Sequence, residues 1–102
     1  VVEEVDEGDE IAKALGDKKV AILQNHGILT TGPSVDIALW FYMSMERCCQ
    51  AQLMAEAAGK PISVSHETAI KTREFIANDI AAWASYQPAF DKIVKMQPDL
   101  LD

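Results

Sequence analysis

His26 is the residue of this chain best placed to do chemistry. It lies in the stretch Val20 to Gly32, where an apolar run rich in β-branched residues is followed by Gln24, Asn25, His26 and Gly27 and then by a second apolar run closed by Gly32 and Pro33. That pattern predicts a β-hairpin with His26 at its tip. Asn25 and Gly27 both tolerate positive φ, so the backbone can turn tightly and hold the imidazole off the end of the strands rather than on either face. An imidazole held there is open to a ligand. A lone turn histidine is also commonly structural or solvated, and the residue type alone leaves both readings open.

The other reactive side chains read more blandly. His66 falls in the first turn of a predicted helix and reads as a surface residue. Cys48 and Cys49 are adjacent on a predicted helix, a geometry unsuited to an ordinary structural disulfide, and read as small apolar side chains. The acidic group Glu3, Glu4, Asp6, Glu7, Asp9 and Glu10 lacks the spacing of a calcium loop and reads as a solvated face.

The elements around the hairpin follow from caps and breakers. Val1 to Glu7 is expected to be an edge strand or a loop, and Asp9 to cap a short helix over Glu10 to Leu15 that Gly16 stops. Ser34 caps a helix that nothing interrupts before Gly59, which at 1.5 Å per residue is roughly 36 Å long. Its first half is apolar on nearly every side, from Ile37 to Met45, so it is expected to be buried between layers or at a subunit interface. Its second half is one-sided, with Cys49, Leu53 and Ala57 at helical spacing. Lys60 to Val64 is a linker. Ser65 caps a third helix, Asn78 and Asp79 interrupt it, and a last helix runs from about Ile80 toward Met96 with Pro88 expected to kink it.

The run Ile22-Leu23-Gln24-Asn25-His26-Gly27-Ile28-Leu29-Thr30, with Ser34-Val35-Asp36 after Gly32 and the helix holding Met45-Glu46-Arg47-Cys48-Cys49-Gln50-Ala51-Gln52, resembles the class II aldolase/adducin family. Asp9 to Gly16, Tyr86-Gln87-Pro88 and the closing Gln97 to Asp102 are also similar to the C-terminal half of one branch of it, so the likeness covers nearly the whole chain. The resemblance implies an α/β fold in three layers, with a central, mainly antiparallel sheet between helices, of which residues 1–102 are the C-terminal part of a single domain. It implies a metal-dependent lyase acting on small hydroxylated carbonyl or sugar-phosphate substrates, with His26 as one ligand of a divalent metal, usually zinc. In that family a His-x-His pair upstream supplies the other two histidines and an upstream glutamate transfers protons; neither is present here. Epimerases and dehydratases of the family use the same three-histidine site. The resemblance leaves an alternative to the lyase, because adducins keep this fold as a non-catalytic head domain that assembles and serves the spectrin–actin cytoskeleton. Family members resemble cyclic tetramers, so a homo-oligomer is expected. Some family aldolases use a tyrosine near the C-terminus as an acid, but the residues around Tyr86 do not match that motif, and Tyr86 is read as a core or interface aromatic.

Composition limits the alternatives. With 102 residues, 49% hydrophobic and 25% charged, the sequence is that of an ordinary soluble domain or part of one. A formal net charge of −7 argues against a nucleic-acid surface. The acidic start has no secretory signature, the most apolar window is too short to span a bilayer, and unpaired thiols fit a cytoplasmic protein. One physical mismatch remains. A two-stranded hairpin is marginal in water, and the apolar surface of Ile37 to Met45 exceeds what it can cover. The sheet is therefore expected to be continued by residues outside this sequence, or the chain to pair with itself.

Overall fold

The computed structural model describes residues 5–101. Helix α1 (Val5–Leu15) leads into the hairpin strands β1 (Val20–Leu23) and β2 (Gly27–Thr30), followed by α2 (Val35–Ala58), α3 (His66–Ile76), α4 (Asp79–Met96) and a closing 3₁₀ turn, Pro98–Leu101. This is the expected α/β architecture, a sheet flanked by helices with one long helix across it. The two strands are antiparallel, with Val20 opposite Thr30 and Leu23 opposite Gly27. That register puts Val20, Ile22, Ile28 and Thr30 on one face and Ala21, Leu23 and Leu29 on the other. The first face meets α2: Val20 packs against the core, and the Thr30 hydroxyl donates to the Ala38 carbonyl at 2.9 Å. Helix α1 packs on β1.

Local chemistry explains most boundaries. Ser34, Ser65 and Asn78 cap α2, α3 and α4, each side-chain oxygen accepting from the backbone N–H three residues on. Asn78 also donates from Nδ2 to the Phe75 carbonyl at 2.9 Å, so one side chain closes α3 and opens α4. Gly16, at φ +54, stops α1 in the left-handed conformation that glycine adopts without strain. Gly59 ends α2 differently, at φ 164, which is extended backbone open to any residue.

Two expectations are revised. Asp9 does not cap α1. The helix already begins at Val5, with Asp6 and Glu7 in its first turn where the helix dipole favours negative charge, and Gly8 is tolerated inside it. The expected edge strand or loop is thus helical from Val5 onward, and its residues 1–4 lie outside the described residues. The last helix does run as expected, from Asp79 to Met96 with Pro88 inside it, where the Ala84 carbonyl loses its usual N–H partner. In α2, only Ile37 and Phe41 are buried; Leu39 and Tyr42 are exposed, and so is every residue from Gln50 to Ala58.

The core is correspondingly small. It is made of Ile37, Phe41 and Ala82, with Val20, Trp40 and Ala77 packed against it. A Cβ on Gly32 would lie 3.0 Å from both the Ala38 nitrogen and Ile37 Cγ2, so glycine there lets the chain leaving β2 run close over the start of α2. Gln87 on α4 donates to Asp36 at 3.3 Å, fastening α4 to the first turn of α2.

Candidate functional site

The hairpin tip is built as the residue types require. Between the paired residues Leu23 and Gly27, the three-residue loop Gln24 to His26 is closed by a hydrogen bond from the His26 N–H to the Leu23 carbonyl at 3.2 Å. Asn25 sits at φ 60 and Gly27 at φ 147, the two positions where positive φ was expected. Asparagine enters the left-handed region more readily than other non-glycine residues, because its short polar side chain can hydrogen-bond locally. Reversing direction over so few residues leaves no sheet face for His26 to occupy. Its side chain is exposed, off the end of the strands.

His26 can therefore offer a neutral imidazole to a metal, but it cannot hold one alone. Catalytic zinc takes three protein ligands plus water or substrate. Among the described residues, no three His, Cys, Asp or Glu side chains are grouped so as to hold a metal ion. The structure does not bring His66 or the cysteine pair into such a group: His66 is exposed at the start of α3, Cys48 is exposed and Cys49 half-buried on α2, both as free thiols. Tyr86 is half-buried on α4 with its ring centroid 6.4 Å from that of Phe90, in keeping with a packing role.

The base of the hairpin carries a constellation that the sequence did not disclose. Lys19 Nζ donates to the Ala77 carbonyl at 2.9 Å, lies 3.4 Å from Asp79 Oδ1, and stands 4.7 Å from the centre of the Phe41 ring. An ammonium at the end of α3 and over an aromatic face is favoured by both the helix dipole and the ring quadrupole. It joins the sheet to the α3–α4 junction. Its partners lie 58 and 60 residues away in sequence, so no local pattern announces it.

With fold and hairpin in place, the class of protein follows. The family described as the class II aldolase and adducin N-terminal domain matches residues 2–53, and the chain belongs to that family. Its fold is that of a solved L-fuculose 1-phosphate aldolase from Glaciozyma antarctica PI12, with a TM-score of 0.87 and 35% identity over 97% of this chain and 39% of that one. In sequence it is 39% identical over 95 residues to Decarboxylase NovR of Streptomyces niveus, covering 93% of this chain and 35% of that protein. It is 37% identical over 95 residues to the 4-hydroxy-3-prenylphenylpyruvate oxygenase/4-hydroxy-3-prenylbenzoate synthase of Streptomyces roseochromogenus subsp. oscitans, covering 93% and 34%. The chain thus spans about a third of the length of these curated relatives. Among the described residues, no helix is long and apolar enough to cross a membrane.

Proposed function

We propose that the protein to which this chain belongs is a metal-dependent lyase of the aldolase type, acting on a small hydroxylated carbonyl or sugar-phosphate compound. The observation that carries this reading is the presentation of His26: a family member holds an imidazole exposed at a tight hairpin tip, where it is free to act as a ligand. His26 is one ligand of a divalent metal, zinc by preference. The remaining ligands and the proton-transferring carboxylate come from residues outside those described, on the same polypeptide or on a neighbouring copy in a homo-oligomer. Cytoplasmic residence accords with the free thiols of Cys48 and Cys49.

Aldolase and decarboxylase both denote cleavage of a carbon–carbon bond, and that step is what the two names have in common. The test is an assay of the full-length protein against hydroxy-aldehydes, sugar phosphates and 2-oxo or hydroxy acids, with and without chelator. Turnover lost on chelation and in His26→Ala is the expected result. A full-length protein that is inactive throughout and binds no metal would replace this reading with that of an adducin-like scaffold.

A further inference from the structure

At the hairpin end opposite His26, a cleft of about 720 Å³ opens between the hairpin base and the α3–α4 junction. Its apolar wall is Val20, Phe41 and Ala77, and Lys18, Lys19 and Arg73 stand around it. Three of the nine lysines and arginines of an acidic chain thus converge on one concavity, although Arg73 is more than fifty residues from the lysine pair. Two acidic residues, Asp17 and Glu74, also line it, and Asp79 pairs with Lys19, so the formal charges around the cleft balance and the cations that can still turn to a ligand are Arg73 and Lys18. Asp17 lies 3.6 Å from Lys18 in a pair exposed enough to be weak. Arg73 has no carboxylate partner among the described residues. Lys19 is held in place by Ala77 and Asp79 through two contacts, which leaves one of its three N–H donors for a ligand.

A volume in this range, an apolar wall and a few convergent polar groups are the usual composition of a small-molecule site. We propose that this cleft binds a small anion with an apolar body, its carboxylate or phosphate held by Arg73 and Lys18 beside the fixed Lys19 ammonium and its hydrocarbon part against Val20 and Phe41. Guanidinium suits either anion because its fork of N–H donors matches two oxygens at once. The site lies about 10 Å or more of strand away from the hairpin tip, and it does not depend on the metal reading of His26.

Titration calorimetry of the full-length protein with benzoate, phenyl phosphate and, as the uncharged control, benzyl alcohol tests it. At least one of the two anions binds and the alcohol does not, and whichever anion binds identifies the source of the charge. Arg73→Gln and Lys18→Gln each weaken that binding by about tenfold or more, as expected for a lost charge-assisted hydrogen bond, while Arg73→Lys weakens it less and His26→Ala leaves it unchanged. Thermal unfolding of each variant separates lost binding from lost folding. The proposal is overturned if neither anion binds, if benzyl alcohol binds as well as they do, if both charge-removing variants bind normally while folded, or if His26→Ala abolishes binding.

Discussion

Asn25 and His26 are neighbours with separable roles, one conformational and one chemical. Asn25 is the only non-glycine residue with positive φ among those described. Replacing it with valine should destabilise the fold by about 1–2 kcal/mol, the cost of the left-handed conformation for a side chain with a crowded Cβ, whereas Asn25→Gly should be near neutral. Thermal unfolding of the two variants checks this; equal losses for both would show that the asparagine side chain, rather than its φ, is what matters. His26 is exposed and packs on nothing in the core, so His26→Ala should change stability by no more than about 0.5 kcal/mol. With no further ligands grouped beside it among the described residues, the 102-residue chain alone should bind zinc weakly and without defined geometry. Stoichiometric sub-micromolar binding that disappears in His26→Ala would contradict this, unless copies of the chain share the ion.

At the scale of elements, the junction between α3 and α4 holds more together than its length suggests. Asn78 satisfies a carbonyl at the end of α3 and an N–H at the start of α4, and Lys19 ties the Ala77 carbonyl beside it to the hairpin. Asn78→Ala should cost about 1–2 kcal/mol, at the upper end for a helix cap because both helices lose a partner. Asn78→Asp should recover part of this, since it keeps the acceptor and loses the donor. If chemical denaturation shows the aspartate variant no better than alanine, the bond to Phe75 is the one that counts. Where the hairpin meets α2, Gly32→Ala forces a methyl against the Ala38 backbone and the Ile37 side chain, and a loss of about 1–3 kcal/mol is expected for such overpacking. A variant as stable as the parent would mean that the chain after β2 yields easily.

For the whole molecule, the governing fact is the surface left open. The radius of gyration is 16.3 Å, against roughly 13 Å for a compact domain of this length. The accessible surface is 8336 Å², against roughly 5,700 Å² for a compact monomer of this mass. Large apolar side chains contribute to that surface, among them Phe75 and Ile80 at 81% exposure and Ile62 at 97%. Among the described residues the two hairpin strands pair only with each other, so each presents an outer edge of unpaired backbone groups there. The chain studied alone should therefore self-associate, or bind a hydrophobic dye strongly, at micromolar concentration. A dilute monomer in sedimentation that binds no such dye would sink this expectation.

How much of this was written in the sequence depends on the range of the interactions concerned. The hairpin and its tip were legible because Asn25 and Gly27 answer a purely local demand for positive φ, and Ser34, Ser65 and Asn78 because a cap bonds to a backbone group three residues away. The family, and with it the architecture, was legible in the Asn-His-Gly tripeptide at its distance from the long helix. The start of α1 was not, since the acidic run from Asp6 to Glu10 offers several residues able to cap and the first turn welcomes all of them. How much of α2 is covered within the chain was not legible either, for a different reason. Hydrophobicity on every side of Ile37 to Met45 shows what that helix would bury, but exposure depends on what is present to cover it, and among the described residues only the hairpin and α4 do so. The Lys19 latch and the cleft beside it were decided by tertiary structure alone. Their members are separated by more than fifty residues, and only the return of α3 past the hairpin base brings them within reach.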